Sequence, residues 1–303
     1  MQMDIRENMK FIRNRMLWPI SAMVLFTHSS CRRDERMVVR LENVQETFLL
    51  SGEVLVSFAD KIPYKKTPQA DLYLYLLRPT SRTKKALPAI VYFTGGGWEK
   101  GDVADQIPNA AWFRDHGLIG ITADYRVKSR HGTTPIECIG DAKSALRFIR
   151  AHAESLGIHP EKIIAAGGSA GGHIAACTVL DGGDAEGEDL RISSKPNALV
   201  LHNPVLGEGF GMDFFTAHPE FSPLLQVKAG WPPTILSNGI QDSITPFEAA
   251  EKFTRLMKNA RNRCELVVVQ DAGHSCDWPV SNPNFLPTLE RMTHFLREQK
   301  LIP

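Results

Sequence analysis

Six apolar runs separated by helical segments constrain the fold of this chain more than any other feature. From residue 86 onward the runs are ALPAIVYF, LIGITADY, KIIAAGG, NALVLHNPV, PTILSNG and CELVVVQ. Near-continuous β-rich runs are typical of strands buried on both faces, and such strands occur in parallel sheets covered by helices. The alternation of strand and helix therefore predicts a doubly wound, mostly parallel α/β sheet.

Amphipathic segments lie between most of these runs. We expect helices at 104–116, 138–156, 170–180, 246–260 and 286–299, because apolar residues there recur at helical spacing. Upstream, FLLSGEVLVSF and ADLYLYLLRP predict an N-terminal antiparallel pair, and the second run alternates with period two. The expected total is eight strands with an antiparallel edge.

One long connection interrupts this rhythm. Residues 207–232 are rich in glycine, proline and aromatic residues, and they follow no clean period. Loops longer than about 12–15 residues are usually functional lids or disordered segments. We interpret this segment as a short packed lid, with a wandering surface loop as the alternative.

The first thirty residues have the pattern of an export signal. Lys10, Arg13 and Arg15 precede an uncharged stretch at 16–26, which is too short to span a bilayer. Cys31 follows two serines, as in a bacterial lipoprotein signal, although His28 stands where such signals usually carry leucine. We expect a signal peptide at 1–30, a tether at 31–45 and a domain at 46–303, in a periplasmic or extracellular protein. An ordinary cleaved signal and an apolar helix of a cytosolic protein remain alternatives, and Met9 is an alternative start.

The charge balance excludes several classes of partner. The chain has 35 basic and 34 acidic residues, so it has no general attraction for nucleic acid or anionic lipid. Five cysteines in 303 residues are too few for a disulfide scaffold. Neither H-E-x-x-H nor a paired C-x-x-C motif is present, so no metal or organic cofactor is expected.

A glycine-rich turn carries the first candidate catalytic residue. The segment IIAAGGSAGG places Ser169 in a G-x-S-x-G pattern, after a predicted buried strand and before a predicted helix. This is the context of a nucleophile elbow, in which a strained turn exposes the serine hydroxyl above the sheet. A phosphate-binding glycine turn is the alternative, but no G-x-x-x-x-G-K-[ST] motif is present.

A nucleophilic serine needs a base, and the base needs an acid to orient it. His274 follows the last predicted strand, and Asp242 follows the preceding one, so both lie at the strand ends where ligands bind in such sheets. His173 is a weaker candidate base, one helical turn beyond Ser169, and His202 is interpreted as a core or pocket histidine. Asp271 is the competing acid, only three residues before His274.

Three consecutive glycines follow the strand AIVYF. The N–H groups of Gly96 and Gly97, with that of Ala170 behind the serine, are candidates for an oxyanion hole. A simple flexible turn is the alternative interpretation. The order Ser169, Asp242, His274 is the one found in α/β-hydrolases, and it differs from the orders of chymotrypsin-like and subtilisin-like proteases.

These motifs together resemble an α/β-hydrolase of the esterase/lipase type. The chain is most similar to the acetyl-esterase and feruloyl-esterase-like branch near the hormone-sensitive lipase group. The resemblance covers about residues 70–300 and is carried by 92–102, 124–126, 141–150, 156–176, 238–246 and 272–274. It departs from the family at Thr94, where a histidine usually precedes the glycine triplet. It also implies that Asp124 and Arg126 belong to a structural salt-bridge motif.

The resemblance implies a serine carboxylic-ester hydrolase that forms an acyl-enzyme. The short lid favours short acyl chains, and export makes acetylated or feruloylated carbohydrate a candidate substrate. A peptidase or arylformamidase on the same scaffold is the alternative within enzymes. A non-catalytic binding protein with the hydrolase fold is the alternative from another class.

Lipidation of Cys31 gives the first testable prediction. A lipidated chain is processed by the lipoprotein signal peptidase, so globomycin should cause the precursor to accumulate. Cys31→Ser should abolish that sensitivity. A mature N-terminus at any residue other than Cys31 would contradict the prediction.

Overall fold

The computed structural model describes residues 59–80 and 85–303. The expected signal peptide, the tether with Cys31 and the apolar run at 48–58 lie outside the described residues. In the two described ranges no helix is both long and apolar enough to cross a bilayer.

Eight strands form one sheet in the described part of the chain. They are β1 (Asp60–Lys66), β2 (Asp71–Leu77), β3 (Leu87–Phe93), β4 (Ile119–Ala123), β5 (Ile158–Gly168), β6 (Ala198–His202), β7 (Thr234–Gly239) and β8 (Cys264–Val269). Their spatial order is β1-β2-β4-β3-β5-β6-β7-β8. β2 pairs antiparallel with β1 and β4, and β3 to β8 pair in parallel. The predicted doubly wound, mostly parallel sheet with an antiparallel edge is confirmed.

Helices cover both faces of this sheet. They are α1 (Ile107–Asp115), α2 (Lys128–His131), α3 (Pro135–Ala151), α4 (Ala153–Leu156), α5 (Ala170–Cys177), α6 (Met212–Ala217), α7 (Phe247–Asn259) and α8 (Phe285–Glu298). Short 3₁₀ turns stand at Val103–Gln106 and Pro219–Phe221. Two expected helices are divided, since 104–116 begins as a 3₁₀ turn and 138–156 breaks at His152.

The edge strand β1 differs from the sequence prediction. The run at 48–58 is the predicted partner of β2, but the described partner is β1, whose sequence DKIPYKK alternates only at Ile62 and Tyr64. Two of its three lysines have partners, since Lys61 lies over the ring of Tyr73 and Lys65 Nζ lies 2.7 Å from Asp141. A hydropathy pattern misses this strand because its side chains are mostly charged. The strand still forms because tertiary contacts satisfy most of these charges.

Strict alternation along the central strands builds two hydrophobic cores. Val91 and Phe93 of β3 face one side, where Leu146 of α3 packs. Ile90 and Tyr92 face the other side, with Phe113 of α1 and Phe295 of α8. The register pairs Phe93 with Gly167, Gly168 with His202 and His202 with Ser237. The carboxyl ends of these strands therefore meet along one edge of the sheet.

A buried carboxylate ties the antiparallel edge to α3. Asp141, whose side chain is 0% exposed, accepts bonds from Lys65 Nζ at 2.7 Å and from Arg126 Nε and Nη2 at 2.9 Å each. The expected salt-bridge motif around Asp124 and Arg126 thus has a different pairing. Arg126 binds Asp141, whereas Asp124 accepts a long contact from the hydroxyl of Tyr75.

Removal of this carboxylate should be costly. Asp141→Ala leaves Lys65 and Arg126 without their anionic partner in a largely buried site, and such losses cost about 3–5 kcal/mol of unfolding free energy. Urea titration of the variant should show a clear drop in the midpoint. The matched control is Asp189→Asn at the exposed Asp189–Arg191 pair, which should leave the midpoint unchanged. Equal midpoints for both variants would contradict the expected role of Asp141.

Candidate active site

Ser169 stands on a strained turn between β5 and α5. Its backbone has φ 53° and ψ −121°, a conformation that costs about 1–3 kcal/mol for a residue with a side chain. The outer glycines of the motif lie close against neighbouring backbone. A Cβ on Gly171 would lie 2.2 Å from the carbonyl oxygen of Phe93. The Ser169 N–H donates to the carbonyl of His202 at 2.9 Å. The pattern G-x-S-x-G is therefore required by close backbone approach at both outer positions.

Ser169, His274 and Asp242 form one chain of hydrogen bonds. His274 Nε2 lies 3.1 Å from Ser169 Oγ, and His274 Nδ1 lies 2.9 Å from Asp242 Oδ2. The Asp242 side chain is 0% exposed, and that of His274 is 19% exposed. Strands β5, β7 and β8 bring these three residues together, although they are 32 and 105 positions apart.

Sequence reasoning missed Thr245, which holds the carboxylate in place. Its hydroxyl donates to Asp242 Oδ2 at 2.7 Å, and its N–H and that of Ile244 donate to Oδ1 at 2.9 Å each. Burial raises the pKa of Asp242, but the hydrogen bonds from His274 and Thr245 outweigh burial and leave that pKa below its ordinary value. The carboxylate is thus charged at neutral pH. The spacing D-x-x-T was the only available sequence signal.

The other candidate base and acid lie elsewhere. His173 is fully buried on α5, its Nε2 lies 2.9 Å from the carbonyl oxygen of Phe221, and burial lowers its pKa to about 4. Asp271 makes no hydrogen bond to His274 within the described residues. His274 and Asp242 are therefore the histidine and the acid that the fold brings to Ser169.

The glycine loop after β3 lies directly beside the serine. A Cβ on Gly95 would lie 3.4 Å from Ser169 Cβ, and Gly96 and Gly97 have φ 112° and 66°. Within the described residues the N–H groups of Gly96, Gly97 and Ala170 donate to no protein acceptor. These N–H groups are available to a bound anion. The backbone carbonyl of Thr94 accepts the Tyr125 hydroxyl at 2.7 Å, which anchors the loop whatever side chain stands at this position.

The segment at 207–232 packs on the glycine loop through aromatic rings. Trp98 contacts Phe210, Phe214 and Phe215 at centroid distances of 5.4, 5.8 and 6.2 Å. The N–H of Phe210 donates to the carbonyl of Ile244 at 3.0 Å, which ties the segment to the Asp242 loop. Beyond α6 and one 3₁₀ turn the segment is irregular. The segment is thus packed, and its role as a lid stays a prediction.

A cavity of about 860 Å³ opens above Ser169, between the glycine loop, the lid and the loop after β8. Its lining includes a second histidine–aspartate pair, in which His202 Nδ1 lies 2.7 Å from Asp277 Oδ2. The Ser237 hydroxyl donates to the same oxygen at 2.6 Å. Burial raises the pKa of Asp277, but His202 and Ser237 outweigh burial and hold that pKa below its ordinary value.

The described residues offer no group of three or more His, Cys, Asp and Glu side chains that could hold a metal ion. Cys138, Cys177, Cys264 and Cys276 are free thiols and buried. Burial raises the pKa of the Cys276 thiol, so this neighbour of His274 is a poor nucleophile at neutral pH.

Comparison with solved structures identifies the family. Thermogutta terrifontis esterase 2 is 41% identical in sequence to this chain, with a TM-score of 0.77, over 82% of this chain and 97% of that one. The chain belongs to the α/β-hydrolase esterases. The family profile BD-FAE matches residues 71–205. The same Thermogutta esterase has been solved with propionate bound and phosphonylated by sarin.

Curated proteins with related sequences are also esterases. The probable isoprenylcysteine alpha-carbonyl methylesterase of Oryza sativa subsp. japonica is 27% identical over 256 residues, which are 75% of this chain and 59% of the relative. Esterase LipC of Mycobacterium tuberculosis is 26% identical over 219 residues, 64% of this chain and 54% of the relative. This chain therefore spans little more than half the length of these two curated relatives.

The lowered pKa of Asp242 predicts how stability depends on pH. The native state binds a proton at this carboxyl more weakly than the unfolded chain does, so its contribution is present above the ordinary aspartate pKa of about 3.9. That contribution is lost as the pH falls through the lower native value. Urea unfolding of the wild type and Asp242→Asn should show a stability difference that shrinks from pH 6 to pH 3. A difference that stays constant over this range would contradict the assignment.

Proposed function

We propose that this protein is a carboxylesterase that works through Ser169, His274 and Asp242. The observation that carries the proposal is the continuous hydrogen-bond chain from Ser169 Oγ through His274 to Asp242, next to three free backbone N–H groups. A serine hydroxyl is a weak nucleophile at neutral pH, and a neighbouring histidine activates it by accepting its proton. An acid behind the histidine fixes its tautomer and stabilises the imidazolium.

The first half of the reaction acylates the serine. Ser169 Oγ attacks the ester carbonyl while His274 Nε2 accepts the hydroxyl proton, and Asp242 stabilises the resulting imidazolium. The N–H groups of Gly96, Gly97 and Ala170 hold the oxyanion of the tetrahedral intermediate. His274 then gives its proton to the departing alcohol, so the C–O bond breaks and an acyl-enzyme remains.

The second half releases the acid. Water attacks the acyl carbonyl, His274 accepts a proton from the water, and the same N–H groups hold the second oxyanion. The proton returns to Ser169 Oγ as the acid leaves. Loss of one oxyanion donor typically reduces turnover about 10²–10³-fold, and we expect a loss of this size for each N–H contact of the glycine loop.

We propose short acyl esters as substrates, with acetylated or feruloylated carbohydrate as the candidate natural source. The lid is short, and Gly97 lies close under Phe210, since a Cβ there would meet the ring at 3.0 Å. The propionate-bound and butyrate-bound forms of the Thermogutta esterase support small acids in a related pocket. Export to the periplasm or beyond, with an anchor at Cys31, is the matching proposal for location.

Replacement of the nucleophile tests this function. Ser169→Ala should reduce kcat for p-nitrophenyl acetate by at least about 10⁴-fold, because it removes the hydroxyl that lies 3.1 Å from His274 Nε2. A fluorophosphonate probe should label the wild type and fail to label this variant. The matched control is Ser155→Ala, an exposed serine of α4, which should be labelled normally. Full activity of Ser169→Ala would refute the mechanism, and an unlabelled wild type would support a non-catalytic binding protein.

A further inference from the structure

One end of the cavity above Ser169 is polar and enclosed. Gln106, Asn109 and His202 line it, and they are only 8%, 4% and 6% exposed. Two apolar residues of the same lining, Phe210 and Ile244, are exposed to solvent, at 39% and 42%. The proposed reaction uses none of the three polar side chains, so their burial beside the nucleophile needs another reason.

Asn109 carries a polar atom that the protein leaves unpaired. Its Nδ2 donates to Gln106 Oε1 at 2.7 Å, but its Oδ1 is buried without a hydrogen-bond partner among the described residues. A buried acceptor without a donor is expensive, and most such atoms in folded proteins have a partner. Because Asn109 lines the cavity, a bound molecule with a donor group can supply that partner.

The polar end lies beside Gly168, the residue that precedes Ser169. A Cβ on Gly168 would lie 3.8 Å from His202 Cβ and 3.9 Å from Gln106 Nε2. A hydroxyl close to the ester carbonyl can therefore reach these side chains while the carbonyl is held at Ser169.

His202 is held in one orientation by its partners. Its Nδ1–H donates to the charged carboxylate of Asp277 at 2.7 Å, which leaves Nε2 as an acceptor. The hydroxyl of Tyr92 makes only a long contact of 3.4 Å to that nitrogen. The polar end thus contains the unpaired acceptor Asn109 Oδ1 and the acceptor His202 Nε2, with Gln106 Nε2 as a donor.

The enclosed end suits the acyl half of an ester. The alcohol leaves first and needs an exit, whereas the acyl group stays attached to the enzyme through both halves of the reaction. The exposed lining at Phe210 and Ile244 provides such an exit, and the buried polar end does not.

We propose that Gln106, Asn109 and His202 form a specificity subsite that recognises a hydroxyl group on the acyl chain of the substrate. This inference rests on the proposed esterase function. It adds that an acyl hydroxyl near the carbonyl is bound by Asn109 Oδ1 and His202 Nε2, and that Asp277 positions His202 for this contact.

Matched esters test the subsite. Hydrolysis of methyl 3-hydroxybutyrate and methyl butyrate is followed by pH-stat for the wild type, Asn109→Leu and His202→Asn. The asparagine amide can replace Nδ1 at Asp277 but offers nothing at the position of Nε2. Each variant should lose on the order of 10-fold in kcat/KM for the hydroxylated ester, the scale of a lost hydrogen bond to a buried partner. The value for methyl butyrate should change less than 3-fold.

A second pair of esters locates the hydroxyl on the substrate. Propyl acetate and 3-hydroxypropyl acetate differ only in the alcohol, and the variants should treat them alike. His202→Gln, which places an amide near the position of Nε2, should recover part of the discrimination that His202→Asn loses. Urea midpoints of all variants check that the fold is retained.

The outcomes separate the two proposals. A wild type that hydrolyses neither methyl ester nor p-nitrophenyl acetate overturns the esterase function itself, whereas hydrolysis of p-nitrophenyl acetate without the methyl esters overturns the subsite alone. Hydrolysis of both methyl esters with equal losses in the variants, or with no loss, overturns the subsite alone. Selective loss on 3-hydroxypropyl acetate also overturns it, because the hydroxyl would then belong to the alcohol.

Discussion

The strained backbone of Ser169 is the constraint on which the rest of the site depends. A positive φ at a residue with a side chain persists only when its surroundings hold it there. The bond from its N–H to the carbonyl of His202 and the contact of Gly171 with the end of β3 supply that hold. The same contacts set the distances from the serine to the glycine loop and to the polar end of the cavity. One backbone conformation thus aligns the candidate nucleophile, the candidate oxyanion donors and the cavity.

The parallel register explains why the candidate catalytic residues lie at one edge of the sheet. Gly168 pairs with His202 and His202 with Ser237, so the loops that follow β5, β6 and β7 begin at one level. Short loops from that level carry Asp242 and His274 towards Ser169 over distances that one side chain can span. Nearby, two histidine–aspartate pairs with different surroundings lie around one cavity. The pair that contacts Ser169 is partly open to solvent, and the other is buried.

Much of this could be predicted from the chain because the signals are local. Buried central strands such as β7 have uniformly apolar sequences, and G-x-S-x-G is required by close backbone approach around Ser169. Strand β1 escaped prediction because two of its three lysines are compensated by distant groups, namely Tyr73 and Asp141. The role of Thr245 was not predicted, because a single threonine in a loop gives no signal until its hydroxyl is seen to bind Asp242.

The sequence by itself determined the order of strands β2 to β8 along the chain, the doubly wound class and the identities of the candidate serine, histidine and acid. These follow from periodicity and from residue types at strand ends, which are properties of short segments. Only the tertiary structure decided that Arg126 binds Asp141, that His173 is buried away from the serine, and that Gln106, Asn109 and His202 share one enclosed end of the cavity. These features depend on contacts between side chains that are far apart in the sequence, and the pattern of a short segment does not predict such contacts.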